Sequence, residues 1–393
     1  MKKVILFAAV CLMCFQLPAQ TKKTKEPEKK EIEYKFTVVN EVPSTSVKNQ
    51  ASSGTCWSFS GVGMYEAELL RMGKGEYDLS EMWVVRNTYI DKVEKYVRWH
   101  GNLNLAGGGA FHDVKHVFET YGIVPEEAYP GLEYGTEMHN HGELDRIIAD
   151  FGKNVVKSRT PTTAWKKALT GILDAYLGPA PEKFTYKGVE YTPKSFAQML
   201  GFNFADYQPV TSFTHHPYYK KFILEVPDNW LFATFWNLPL DEFMSIFDYA
   251  IEQGYTIAWA SDVSEKSFTR DMATLPEEKK KEVIGTDQAK WTKQQAKVET
   301  EQLDKEKEVT AESRQKEFDN YQTTDDHGML IVGIVKDQFG RKYYKVKNSW
   351  GTDGGKHAGF LYVTEAFIKA KTTDIEVHKN GIPPAIRQKL GIN

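Results

Sequence analysis

Cysteine is scarce: there are three in 393 residues, and two of them, Cys11 and Cys14, fall within the first twenty positions. Beyond that segment a single thiol is left, Cys56, so a small scaffold stapled by internal disulfides is excluded. An excess of charge is missing too. Fifty Lys and Arg against 53 Asp and Glu leave a formal charge of −3, which supplies no basic field for nucleic acid or an anionic membrane. No apolar stretch is long enough for a membrane-spanning helix. The nearest, Val4 to Leu17, follows Lys2 and Lys3 and precedes Leu17-Pro18-Ala19-Gln20, the pattern of a secretory leader. Residues 1–20 are therefore expected to be a signal peptide cleaved near Ala19 or Gln20, with an uncleaved anchor as the alternative. The mature protein is expected to be exported, periplasmic or secreted, with no stable membrane span. Residues 21–35 read as a charged, solvated linker.

Against this background the surroundings of Cys56 stand out. Gly54 permits a tight turn just before it. From Cys56 onward Phe59, Val62, Leu69 and Leu70 recur near helical spacing, and Gly73 offers a stop. Gly61 and Gly63 are poor helix formers and are expected to mark close packing against another backbone. Cys56 thus falls at a helix N-terminus, where unpaired N–H groups and the dipole favour a thiolate. Gln50 lies across the turn, in reach of an oxyanion formed beside the cysteine.

A second group of residues lies near the other end of the chain. Asp326-His327-Gly328 opens the apolar run Met329 to Val335, a buried strand by its composition. Arg341 to Lys347 alternates into another strand and ends at Asn348-Ser349-Trp350-Gly351. Folding the two antiparallel about Gln338–Phe339 makes His327 and Asn348 neighbours. An asparagine carbonyl would then fix the imidazole tautomer without adding charge, and Trp350 could shield that bond from water. Cysteine nucleophile, histidine base, orienting asparagine and Gln50 as oxyanion donor form the set expected for acyl transfer through a thiol.

Ser53-Gly54-Thr55-Cys56-Trp57 resembles the signature around the nucleophile of papain-like cysteine peptidases. Asn348 to Gly351 resembles the family's asparagine motif. Gly107, Gly108 and Gly109 resemble the glycines that present backbone to an extended substrate. Three departures resemble the bleomycin hydrolase and aminopeptidase C branch. Ser53 replaces a disulfide cysteine, only about thirty residues separate the leader from Gln50, and 271 positions separate Cys56 from His327, against roughly 130–150 in the simple plan. Tyr191 to Phe196, Asp206-Tyr207, Pro217 to Lys220 and Ala258 to Val263 also resemble segments of that branch.

The resemblance implies an α+β, papain-like two-lobe peptidase over residues 36–393. A helical lobe at 50–135, an α-rich insertion at 136–250 and a β-barrel-like lobe at 251–393 are expected, with a solvated helical excursion at 264–320. It implies peptide substrates, bound at Gly107, Gly108, Gly109, Asp262 and Trp350, with no metal or organic cofactor, and it leaves a homo-oligomer open. In that branch a C-terminal arm enters the cleft and anchors the substrate's amino terminus. Ile382 to Arg387 resembles the stretch before the arm and the sequence ends at Asn393. Aminopeptidase action is expected, with endopeptidase or dipeptidyl-type action as the alternative. A non-catalytic binding protein on the same fold is the rival of a different class. His112 and His116, four apart, lack a third metal ligand. His139, His141, His215 and His216 are expected in loops, and Asp325 and Asp326 in a solvated turn.

Overall fold

The computed structural model describes residues 33–277 and 305–392, so the expected leader, most of the linker and Trp291 lie outside the described residues. In chain order the strand β1 (Thr37–Glu41) leads into helices α1 (Cys56–Arg71), α2 (Glu81–Arg98), α3 (Phe111–Tyr121), α4 (Gly142–Lys157) and α5 (Ala164–Leu177). A small hairpin, β2 (Phe184–Tyr186) and β3 (Val189–Tyr191), precedes α6 (Pro193–Leu200). Then come β4 (Tyr207–Thr211), β5 (Lys221–Ile223), β6 (Thr234–Asn237), α7 (Leu240–Glu252), β7 (Ile257–Ser261) and β8 (Met272–Ala273). The remaining elements are α8 (Ala311–Asp319), β9 (His327–Lys336), β10 (Lys342–Lys347), β11 (Phe360–Thr364), α9 (Glu365–Lys371), β12 (Thr372–His378) and α10 (Pro384–Leu390).

Ten strands form one mixed sheet in the order β5-β6-β4-β12-β7-β9-β10-β11-β8, with β1 paired to the far half of β9. Among the described residues the path begins at β5 and ends at β8 without closing on itself, so the expected barrel-like lobe is an open sheet rather than a closed barrel. Period-two alternation explains why β7 and β9 are apolar almost throughout. Ala258, Ala260, Leu330 and Val332 turn to one face and pack with α1 to α6. Ile257, Trp259, Met329 and Ile331 turn to the other and pack with α7, α9 and α10. Each strand therefore belongs to two cores, which fixes its register, since a one-residue slip would exchange the faces.

Helix α1 lies directly on β9. Its Gly61 meets α3 so closely that an added Cβ would stand 2.7 Å from Val114, whereas at Gly63 the nearest atom, on Leu330, would be 3.8 Å away. Only the first glycine is demanded by packing. The charged stretch 264–320 also departs from expectation where it is described. Residues 264–277 carry β8, not a helix, and α8 buries Arg314 at 1% exposure, its guanidinium donating to the carbonyls of Ser212 and Lys369. Among the described residues no helix is long and apolar enough to cross a membrane.

Candidate active site

Cys56 is the first residue of α1. Gly54, at φ +65°, makes the turn into the helix. The Thr55 carbonyl accepts from Ser58 N–H at 2.9 Å and Phe59 N–H at 3.2 Å, which leaves the N–H groups of Cys56 and Trp57 beyond the intrahelical ladder. No acidic residue occupies the first turn. The half-buried thiol is pushed up to about 11: burial is the main cause and the carboxylates of Asp325 and Asp228 add to it, opposed by N–H donation from Gly328 and Trp57.

His327 opens β9, and Asn348 follows the end of β10. The two strands pair with Lys342 opposite Lys336 and Lys347 opposite Leu330, so both residues emerge at the end of the hairpin away from its turn, as expected. His327 Nε2 lies 2.8 Å from Asn348 Oδ1. Ser349 N–H donates to that same Oδ1 at 2.8 Å, which identifies it as the amide oxygen. Nε2 of His327 must then be the donor, and Nδ1 carries the free lone pair of the neutral ring. Trp350 stacks on the imidazole at 4.9 Å between centroids and 25° between planes. Burial pushes the imidazole down to about 4, with Asn348 and Asp326 pulling the other way.

Gln50 is held by a residue that the sequence motif contained but whose role was not legible in it. Ser349 Oγ donates to Gln50 Oε1 at 2.6 Å, and Gln50 N–H donates to the Ser349 carbonyl at 2.8 Å. With its oxygen occupied, the Gln50 amide presents its NH2 as a donor. Ser349 thereby orients both Gln50 and Asn348.

One cleft is lined by Cys56, Trp57, Gly108, Gly109, His327 and Gly328, together with Asp228, Asp325 and Asp374. Thiol and imidazole therefore face a common space. At Gly109 nothing larger fits, since a Cβ would lie 2.7 Å from Asp113 Oδ2 and 2.8 Å from the Trp57 ring. One on Gly108 would lie 2.1 Å from Asp228 Oδ2, so that carboxylate would have to turn away. Gly107 stands behind them, its carbonyl accepting from Trp57 Nε1 at 3.2 Å.

Two expectations are corrected. Asp262, placed on the substrate side by resemblance, is 1% exposed and does not line the cleft. Its Oδ1 accepts from the N–H and hydroxyl of Ser264, and its Oδ2 from the N–H and hydroxyl of Thr324, so it clamps two loops together. Asp325 and Asp326, expected in a solvated turn, both line the cleft, Asp326 exposed and Asp325 partly buried. Burial raises the carboxyl of Asp374 to about 7 and holds those of Asp325 and Asp228 above their ordinary range, with neighbouring carboxylates adding to the last two. Lys92 pulls the Asp228 carboxyl the other way and Arg314 the Asp374 carboxyl, although the hydrogen bonds of Lys92 Nζ go to the carbonyls of Ala106 and Gly108. Periodicity gives no warning of this cluster, because its three members come from three distant segments.

A thiol at a helix N-terminus, an amide-oriented imidazole and a donor opposite them, set between a helical layer and an open sheet, define a papain-like cysteine peptidase. Residues 35–172 match the papain family of cysteine proteases and residues 176–391 match the Peptidase C1-like family. The chain belongs to the Peptidase C1-like family. Similar proteins include aminopeptidase C of Streptococcus thermophilus, 22% identical with 91% of this chain and 86% of the relative covered. Cysteine proteinase 1, mitochondrial, of Saccharomyces cerevisiae (strain JAY291) is 20% identical, with 90% and 79% covered. The crystal structure of PepW from Lactobacillus rhamnosis HN001 shares the fold at a TM-score of 0.68 and 19% identity, covering 90% of this chain and 84% of that one.

Proposed function

We propose that the protein is a cysteine aminopeptidase in which Cys56 is the nucleophile. Cys56 gives its proton to His327 Nδ1 and attacks the peptide carbonyl. The N–H of Cys56 and the NH2 of Gln50 receive the oxyanion. His327 protonates the leaving amine and then activates water to release the acyl group. Asn348 holds the ring, Ser349 holds Asn348 and Gln50, and Trp350 keeps water from the bond between His327 and Asn348. Gly108 and Gly109 offer backbone to the substrate chain.

The observation that favours amino-terminal substrates is the wall of Asp228, Asp325 and Asp374 beside the thiol. A free α-ammonium group suits it, and relatives named aminopeptidase C support the reading. An ammonium seated there would also offset the two carboxylates that add to the burial of the thiol in raising its pKa, so that substrate binding itself would favour the thiolate.

The test is hydrolysis of one peptide series with free and acetylated amino termini, by the full chain and by Cys56→Ala. Cleavage of the free series alone, lost in Cys56→Ala, is the expected result. Equal cleavage of acetylated peptides would establish an endopeptidase instead, and no Cys56-dependent turnover would leave a binding protein. Export, proposed from residues 1–20 alone, is checked by amino-terminal sequencing of the exported form, which is expected to begin near Gln20.

A further inference from the structure

Away from the cleft, two histidines converge on one carboxylate. His215 and His216 lie on the loop between β4 and β5, and Glu225 follows β5. His215 Nε2 is 3.1 Å from Glu225 Oε2, and His216 Nε2 is 2.9 Å from Glu225 Oε1. The three candidate ligand atoms all lie within 4.8 Å of one another.

The tautomer of His215 is set from its other side. Gln315, on α8, places Oε1 3.1 Å from His215 Nδ1. That oxygen also accepts from Thr214 N–H at 2.7 Å, while Gln315 Nε2 donates to Asp319 Oδ1 at 2.8 Å. The amide therefore cannot be turned round, and the hydrogen of the neutral ring belongs on Nδ1. The lone pair of Nε2 then points at a carboxylate oxygen, acceptor facing acceptor, and something positive is needed between them. A proton would serve one such pair. A metal ion would serve both nitrogens and the carboxylate together. The rings are already restrained, His216 stacked on Phe222 at 4.2 Å and 26°, and His215 parallel to Phe318 at 5.9 Å and 18°.

We infer that His215, His216 and Glu225 bind a divalent first-row metal ion of the zinc class, with Gln315 as the positioning residue that orients His215. Two imidazoles and a carboxylate suit such ions, at about 2.0–2.1 Å per ligand. A ligand histidine whose second nitrogen donates to a fixed carbonyl is the usual outer-shell arrangement. The side chains are 28%, 34% and 55% exposed, so an ion can enter from solvent and keep water in its open positions. Its effect would be to tie the loop before β5 and the residue after it to α8, and so to stabilise the folded protein by mass action.

The test is a titration of the full chain carrying Cys56→Ala, which removes the cleft thiol as a competing ligand. Zn2+ is followed by calorimetry and Co2+ by its visible absorption. One ion bound with micromolar or tighter affinity is expected, weakened about 10-fold or more by His216→Ala or Glu225→Gln and about 10–100-fold by Gln315→Leu. Zn2+ should raise the melting temperature of the parent and not that of Glu225→Gln, whose metal-free melting curve checks its fold. The site is overturned by the absence of micromolar binding, which leaves an imidazolium–carboxylate cluster, or by undiminished binding in His216→Ala.

Discussion

Asn348 accepts from His327 without bringing a charge, so a buried imidazole that prefers neutrality keeps its Nδ1 lone pair for the thiol. Asn348→Ala should lower kcat, by at most the roughly 10²–10⁴-fold that the base it orients contributes, while KM moves little, read from steady-state hydrolysis of a free-amine peptide. The carboxylates act on the thiol in the opposite sense to the helix. Removing the Asp325 charge takes away one cause of the raised thiol pKa, so Asp325→Asn should be alkylated at Cys56 faster than wild type at a pH high enough to ionise Asp325, whose own carboxyl is raised. Its rate–pH curve should shift to lower pH, and the preference for free over acetylated peptides should shrink. An unshifted alkylation profile would remove Asp325 from the site. Cys56, His327, Asn348 and Gln50 were legible because each stands in a local string with its own signal: a turn before a helix, a polar residue opening an apolar run, an amide at a strand end. Asp325 and Ser349 were not. Their work depends on partners far away in the sequence, Cys56 for one and Gln50 for the other, and adjacent residues carry no trace of it.

The hairpin of β9 and β10 and the helix α1 were read correctly because alternation and helical spacing are properties of one segment. Strands β4, β5 and β6 were not foreseen. They are three to five residues long, and what makes them strands is the open flank of β12, with Val210 opposite Ile375 and β6 alongside β4. The same dependence on a neighbour explains Arg314: a charged helix looks solvated until the carbonyls that accept its guanidinium are in view. The glycine loop before α3 is where element and site meet. Gly109→Ala would drive a methyl group into Asp113 and the Trp57 ring, next to the nucleophile. It should cost about 1–3 kcal/mol of stability and a larger share of activity, measured by chemical denaturation and by kcat on the same preparation. Alanine at Gly63, where space is ordinary, should be close to neutral in both.

Across the whole molecule the sheet buries charge as well as apolar surface. Glu376, on β12, is 1% exposed, and burial lifts its carboxyl to about 7, with Lys115 pulling the other way. A carboxyl whose folded pKa is raised binds its proton more tightly in the folded state. It therefore detracts from stability as pH climbs from its ordinary value of 4.5 through about 7. Glu376→Gln should accordingly melt higher than wild type at pH 8, by an amount on the order of 1–3 kcal/mol, and the gap should close as pH falls toward 4.5. Equal gaps at both pH values would show that the carboxyl is not strained in this way. The burial of β9 was legible in its apolar run, but the two cores it joins, and which helices cover each face, follow from chain crossings that no local pattern encodes. One consequence of that layout concerns synthesis. Asn348 is made 292 positions after Cys56, so at about 5–20 residues per second a ribosome takes roughly 15–60 s between them. For most of that interval the nascent chain carries its thiol but neither strand of the hairpin that completes the site, and so it cannot cut itself or its neighbours before those strands have been made.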